Sequence, residues 1–184
     1  SNAMPKYIAF LRAVNVGGRI VKMEELREQF AALGFASVET FIASGNVIFD
    51  SKIADARKLE KKIEKHLHEW LGYKVETMIR TPAELEAITQ FEPFAAADIA
   101  SAGALHVVFL AAEPPADAHE KLRGVATDVD EFNLNGRELY WLCRVKFNES
   151  KVKPAQLDKA LGKTPATARS ITTVRKLVAK YGNK

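Results

Sequence analysis

The order of strand-like and helix-like segments most constrains the fold of this chain. Residues 7–80 contain six segments whose hydrophobic pattern is typical of either a strand or a helix. In order, they are a strand over 7–14, a helix over 23–33, strands over 38–43 and 47–50, a helix over 56–71 and a strand over 74–80. The order βαββαβ is the split βαβ pattern of ferredoxin-like domains.

Residues 81–184 repeat this order more loosely. Thr81 and Glu84 form a capping-box pattern that opens a helix, and a weak linker follows over 91–103. The remaining segments are a strand over 105–112, a helix over 115–125, a hairpin over 131–142 around Asn135-Gly136, and helices over 154–161 and 171–181. No clear fourth strand is predicted in this half.

The two predicted hairpins superpose at an offset of 91 residues, which places Phe41 on Phe132 and Gly45 on Gly136. This match favours an internal duplication, although any two hairpins share a turn glycine and alternating apolar residues. We therefore expect an α+β protein with two ferredoxin-like (βαββαβ) subdomains, the second incomplete and followed by C-terminal helices. The expected boundaries are 4–80 for the first subdomain, 81–103 for a helix and linker, and 104–184 for the second subdomain with basic C-terminal helices.

The composition, with 47% hydrophobic and 27% charged residues among 184, is that of an ordinary globular protein. The single cysteine, Cys143, excludes an internal disulfide, and the four histidines show no zinc-ligand spacing. No apolar run approaches the roughly 18 residues of a membrane helix, and no signal-peptide pattern follows Met4. We expect a cytoplasmic protein with no metal, no cofactor and no membrane association.

The positive charge is concentrated near the C-terminus. Residues 144–184 contain eleven Lys or Arg against two acidic residues, whereas the chain as a whole has a net charge of +4. Such an asymmetry indicates an anionic partner, such as a nucleic acid, a nucleotide or other anionic small molecule, or an acidic patch on the same protein. The alternative is a helix whose solvated face simply carries lysines.

Four motifs stand out among the first fifty residues: Phe10-Leu11-Arg12-Ala13-Val14-Asn15-Val16-Gly17-Gly18, Met23 with Leu26, Leu33-Gly34-Phe35, and Ser44-Gly45-Asn46-Val47-Ile48-Phe49. Together they resemble the opening signature of DUF1697, an uncharacterised family. Ser150-Lys151 and residues 166–177 resemble its C-terminal signature. The resemblance implies a ferredoxin-like α+β fold and brings no established activity, cofactor or catalytic residue. Where the family usually shows Arg-Asn-Trp, this chain has Arg169-Ser170-Ile171, so no role of that Asn or Trp carries over.

One candidate site follows from the predicted topology. In a split βαβ unit the first two strands run parallel with the third between them, so the loop after the first strand and the turn after the second emerge at one end of the sheet. Backbone N–H groups of the glycine-containing loop, the N-terminus of the following helix and nearby basic side chains would favour an anion there. The predicted ligand-binding residues are Arg12, Asn15, Gly17, Gly18, Arg19, Lys22, Ser44, Gly45, Asn46 and Arg169.

Three functions remain open at this stage. The first is binding of an anionic ligand by this loop pair, and the alternative is that the glycines only allow the chain to turn. The second is a small-molecule enzyme with a site between the subdomains, although the sequence shows no acid, base or nucleophile set and no phosphate-binding loop spacing. The third is a structural or interaction module, in which case the chain could form a homodimer.

Overall fold

A computed structural model describes residues 4–15, 18–42 and 45–182 of the chain. The strands are β1 (Lys6–Leu11), β2 (Ala36–Thr40), β3 (Asn46–Asp50), β4 (Thr77–Arg80), β5 (Ala104–Leu110), β6 (Asp130–Asn135), β7 (Glu138–Cys143) and β8 (Ala166–Ser170). The helices are α1 (Met23–Ala32), α2 (Ala56–Leu71), α3 (Pro82–Gln90), α4 (Ala96–Ser101), α5 (Ala118–Val125), α6 (Pro154–Ala160) and α7 (Ile171–Tyr181), with a 3₁₀ turn over Phe147–Glu149.

The chain divides into two compact units. The first comprises Ser1–Glu86 and Leu177–Lys184, and the second comprises Ala87–Lys176. Each unit contains one four-stranded antiparallel sheet, and the expected α+β class is confirmed. No helix of the described residues is both long enough and apolar enough to cross a membrane.

The sheet of the first unit has the strand order β2-β3-β1-β4. β3 lies between β1 and β2, as the split βαβ pattern requires, and β4 pairs with the other side of β1. The end of β1 is therefore beside the start of β4, with Leu11 opposite Thr77. The loop after β1 and the segment before β4 therefore lie at the same end of the sheet.

The two long helices of the first unit pack on one face of its sheet. Leu26 and Phe30 of α1 join Leu59 and Ile63 of α2 in a core with Phe49 of β3. α2 begins where the Asp55 side chain accepts hydrogen bonds from two backbone N–H groups and ends at Gly72 in the left-handed conformation. Both faces of β1 are buried. Ile8 and Phe10, on the face away from the helices, are as inaccessible to solvent as the residues on the face that packs against the helices.

The sheet of the second unit has the equivalent order, β6-β7-β5-β8. Here the structure corrects the sequence analysis: the second half is not incomplete, because β8 pairs antiparallel with β5 and supplies a fourth strand. The segment was missed because Ala166–Ser170 is short, lies at a sheet edge and is half-buried throughout, so it shows no alternation of buried and exposed residues. The predicted linker over 91–103 also contains a helix, α4.

Candidate anion-binding site

The loop that leaves β1 meets the turn that enters β3. The backbone N–H of Leu11 donates to the carbonyl oxygen of Gly45 at 2.8 Å. Gly45 has a φ of +86°, and a Cβ atom there would lie 2.9 Å from the Cβ of Leu11, so both the backbone conformation and the close approach require glycine. Gly17 and Ser44, two of the predicted site residues, lie outside the described residues.

The asparagine side chains hold these loops in place. Oδ1 of Asn15 accepts a hydrogen bond from the backbone N–H of Val21 at 2.7 Å. The Asn46 amide is buried and donates to the carbonyl oxygens of Phe41 and Ile42, at 3.0 and 3.1 Å. These contacts give both side chains a role in loop structure.

The cations of the site come from two loops. Arg12 follows β1, and its guanidinium lies 3.1 Å from the Glu76 carboxylate, which precedes β4. The Lys74 ammonium lies 3.8 Å from the other oxygen of the same carboxylate. A cleft of about 250 Å³ is lined by Arg12, Ala13, Lys74 and Glu76. One carboxylate thus faces two cations, and both cations remain accessible, with exposed side-chain fractions of 52% for Arg12 and 70% for Lys74.

Arg19 is positioned by an aromatic ring. Its guanidinium carbon lies 4.5 Å from the centre of the Tyr73 ring, a cation–π arrangement. The Tyr73 hydroxyl donates to the carbonyl oxygen of Val14 at 2.6 Å, so Tyr73 joins the segment after α2 to the loop after β1. Arg19 therefore belongs to the same end of the unit as the loop that carries Arg12.

The N-terminus of α1 contributes less than the sequence analysis expects. Gly18 is exposed with a φ of +78°, and Lys22 is the exposed residue that precedes the helix. Glu24 and Glu25 occupy the first turn, where carboxylates already match the positive end of the helix dipole. The capacity of this region to bind an anion therefore depends on its side-chain cations.

Arg169 belongs to the second unit, and the loop pair belongs to the first. It lies on β8 opposite Val107, and its guanidinium donates to Oγ1 of Thr167 at 2.8 Å and to the carbonyl oxygen of Ala168 at 2.9 Å. Burial lowers the pKa of Arg169 to about 10. These two hydrogen bonds join its side chain to residues of its own strand.

Sequence reasoning missed Lys74 and Glu76. Their position follows from the pairing of β4 with β1, because Glu76 precedes Thr77 and its carbonyl oxygen accepts from the backbone N–H of Arg12. The predicted order βαββαβ already implied this position, because the fourth strand of such a sheet begins at the end of the sheet where the first strand ends. Within the described ranges, no group of three His, Cys, Asp or Glu side chains is arranged to hold a metal ion.

Comparisons with known proteins support the fold. A family model described as "Protein of unknown function (DUF1697)" matches residues 4–140. A solved structure of the conserved bacterial protein SP0830 from Streptococcus pneumoniae is similar to this chain with a TM-score of 0.76 and 23% sequence identity. The similarity covers 97% of this chain and 99% of that one. No curated protein sequence matches the chain.

Proposed function

Because the chain belongs to DUF1697, a family of unknown function, its activity has to be inferred from geometry, and we propose that it binds a phosphate-bearing ligand. The binding site is the cleft between the loop after β1 and the segment before β4. The observation that carries the proposal is the convergence of Arg12 and Lys74 on one cleft that contains a single carboxylate, Glu76.

The charge balance of the cleft favours an anion. Glu76 neutralises one of the two cations that it contacts, and Arg19 with Lys22 adds positive charge in the neighbouring loop. Arginine presents several N–H groups in a planar fork that matches phosphate oxygens, and an exposed lysine supplies a point charge. An incoming phosphate could therefore bind the free donors of Arg12 and Lys74 while Glu76 holds both side chains in position.

The size of the cleft limits what it can enclose. Pockets that bury a whole drug-sized ligand have volumes of about 300–1,000 Å³. A cleft of about 250 Å³ is better suited to one or two phosphate groups than to a complete nucleotide. The remainder of the ligand would extend into solvent, which is compatible with either a small phosphorylated molecule or a nucleic acid backbone.

Calorimetric titration separates these ligand classes. Pyrophosphate, a single-stranded oligonucleotide, a duplex and succinate would each be titrated into the full chain at about 50 and about 200 mM salt. Binding of pyrophosphate alone indicates a small phosphorylated ligand, whereas oligonucleotide affinity that falls steeply with salt indicates nucleic acid. Binding of succinate with equal affinity would overturn the preference for phosphate, and failure of every anion to bind would overturn the proposal.

Charge-reversal variants locate the site. Lys74→Glu should weaken binding at least about tenfold, because a hydrogen bond to a charged group contributes about 1.5–3 kcal/mol. Arg19→Glu, which reverses a charge in the neighbouring loop, should weaken binding less. Both should leave the free energy of unfolding nearly unchanged, since exposed charges contribute little to folding. Lys61→Glu, on the exposed face of α2, is the matched control. An equal loss of binding in Lys61→Glu would mean that overall charge, and not the cleft, attracts the ligand.

A further inference from the structure

The edge strands of the first unit are protected against pairing with another chain. In β4, the outward backbone N–H groups of Thr77 and Ile79 donate to the carboxylates of Glu64 and Glu60, which α2 places over the edge. In β2, the pairing register shifts between Ala36 and Glu39, so the edge is irregular. Covered and irregular edges are two ways in which proteins prevent the addition of a further strand.

The edge strand β6 of the second unit has no register shift, and only its first outward residue, Asp130, is covered, by hydrogen bonds with Thr127. Its six residues pair with β7 without a register shift, from Asp130 opposite Cys143 to Asn135 opposite Glu138. The carbonyl oxygen of Val129 accepts from the backbone N–H of Arg144, and hydrogen-bonded pairs alternate along an antiparallel ladder. The backbone groups of Phe132 and Leu134 therefore point away from β7, and among the described residues they have no hydrogen-bond partner.

A cleft of about 480 Å³ runs along this edge. Phe132 and Leu134 line it together with the α5 residues Leu122 and Arg123, and Pro93 with Phe94 forms its other wall. The amide of Asn133 donates to the carbonyl oxygen of Pro93 at 2.7 Å and holds that wall beside the strand. The cleft therefore offers an apolar surface and unpaired backbone groups side by side.

One unpaired cation, Arg123, faces this cleft. Arg123 is exposed and makes no ion pair or hydrogen bond within the part of the chain that the structure describes. Glu131, the carboxylate that also lines the cleft, is paired with the guanidinium of Arg144 at 2.6 Å. Arg144 also lies 3.7 Å from the Asp98 carboxylate. A carboxylate that enters the cleft would therefore find an unpaired cation, while the acidic group beside it already has an arginine partner.

We propose that β6 binds an extended acidic peptide from a partner protein by strand addition. The peptide would pair with the outward N–H and C=O groups of Phe132 and Leu134 and become a fifth strand of the sheet. Alternate side chains of the peptide would face the apolar wall of the cleft, and one carboxylate would bind Arg123. Backbone hydrogen bonds supply affinity in this mode of recognition, and side-chain pockets supply selectivity. This proposal does not depend on the anion-binding cleft of the first unit.

Selection from a display library of random peptides about eight residues long, with the full chain as bait, tests the proposal. We expect enriched peptides to combine acidic residues with β-branched residues. Their affinity should fall at least about tenfold for Arg123→Glu, while Lys159→Glu, an exposed reversal on α6, should have little effect. Failure to enrich any peptide on the native chain relative to Arg123→Glu would overturn the proposal.

Two further measurements distinguish strand addition from other contacts. N-methylation of the alternate peptide amides that face β6 should abolish binding, whereas N-methylation of the other alternate set should be tolerated. Amide hydrogen exchange should slow at Phe132 and Leu134 when the peptide binds. Asn133, whose N–H faces β7, should exchange slowly with or without peptide. Binding that survives N-methylation of both alternate sets of amides, each tested separately, would contradict strand addition. Protection of Phe132 and Leu134 that rises with protein concentration alone would instead identify a second copy of the chain as the occupant.

Discussion

The carboxylate of Glu60 accepts a hydrogen bond from the backbone N–H of Ile79 at 2.8 Å. Ile79 lies on the edge strand β4, and Glu60, one helical turn before Glu64, is only 3% exposed. Two glutamates of one helix face thus provide the hydrogen-bond acceptors that a neighbouring strand would otherwise supply. These hydrogen bonds connect α2 to β4, and the segment that precedes β4 lines the candidate site.

Glu60→Ala should destabilise the chain because it leaves the buried Ile79 N–H without an acceptor. An unsatisfied buried donor costs about 1–3 kcal/mol. Glu60→Gln keeps an acceptor oxygen and should lose less. Urea denaturation of both variants gives the comparison, with the exposed Glu69→Ala on the same helix as control. Equal losses for Glu60→Ala and Glu69→Ala would show that the bond to β4 contributes nothing.

Glu64 should make stability depend on pH. Burial raises the pKa of Glu64 above its ordinary 4.5, although the hydrogen bond from Thr77 and the charge of Lys74 act in the opposite direction. The folded state therefore binds the Glu64 proton more tightly than the unfolded state does. The resulting gain in the free energy of unfolding is fully present below about pH 4.5 and is lost as the pH rises through the folded-state pKa. Between about pH 4.5 and the folded-state pKa, the free energy of unfolding of Glu64→Gln should therefore fall less than that of the native protein. An unchanged pH profile of the unfolding free energy, relative to Glu69→Gln, would contradict the assignment.

Gly45→Ala should disrupt the junction of the two loops. Gly45 and Gly72 share a left-handed backbone, with φ values of +86° and +81°, but only at Gly45 would the new Cβ meet neighbouring atoms. Gly72→Ala therefore measures the backbone penalty, about 1–2 kcal/mol, and Gly45→Ala should cost about 1–3 kcal/mol more because of the clash with Leu11. Thermal or urea denaturation of both variants tests the difference, and equal values would show that the loops are not in close contact.

Asp130→Asn should destabilise the second unit. Oδ1 of Asp130 accepts from Trp141 Nε1 and the Ser150 hydroxyl, and Oδ2 accepts from the Thr127 hydroxyl and the backbone N–H of Lys151. Each carboxylate oxygen of Asp130 therefore accepts one hydrogen bond from a hydroxyl and one from an N–H group. In the asparagine variant, the side-chain NH₂ group could donate to a hydroxyl that rotates, but an N–H group offers it no acceptor. Whichever way the asparagine turns, one N–H remains unpaired, at a cost of about 1–3 kcal/mol.

Asp130 should also make the stability of the protein fall in acid. Burial alone would raise the pKa of Asp130, but the four hydrogen bonds hold it below its ordinary 3.8. This stabilisation is present above about pH 3.8 and is lost as the pH falls through the folded-state pKa. Denaturation profiles of native protein and Asp130→Asn should therefore converge in acid. The control is Asp128→Asn, an exposed partner of the Lys151 ammonium, and an equal loss in that variant would contradict the account.

Sequence patterns could predict elements that bury an apolar face, and they failed where pairing alone defines the structure. β1 and β3 are recognisable because their apolar residues are continuous, whereas β8 contains Ala, Thr, Arg and Ser and is a strand only through its pairing with β5. Glu60 illustrates the same limit within a correctly predicted helix. Its chemistry resembles that of any solvated glutamate, and only the packing of α2 on β4 makes it a buried acceptor.

The candidate site was predictable to the extent that topology controls it. The meeting of the β1 loop with the Gly45 turn follows from the strand order, and so does the position of Lys74 and Glu76. The internal bonds of Asn15 and Asn46 could not be predicted, because an amide in a loop can serve either the backbone or a ligand. Arg169 belongs to the second unit, and its assignment to the ligand-binding residues stays a prediction.

Backbone chemical-shift mapping with pyrophosphate tests whether the cleft of the first unit binds phosphate. The isotope-labelled full chain would be titrated with pyrophosphate while the amide resonances of both units are followed. We expect saturable shifts concentrated at Arg12, Ala13, Lys74 and Glu76, which line the cleft, and the loss of those shifts in Lys74→Glu. No saturable shift, or shifts confined to residues 87–176 of the second unit, would contradict the proposal.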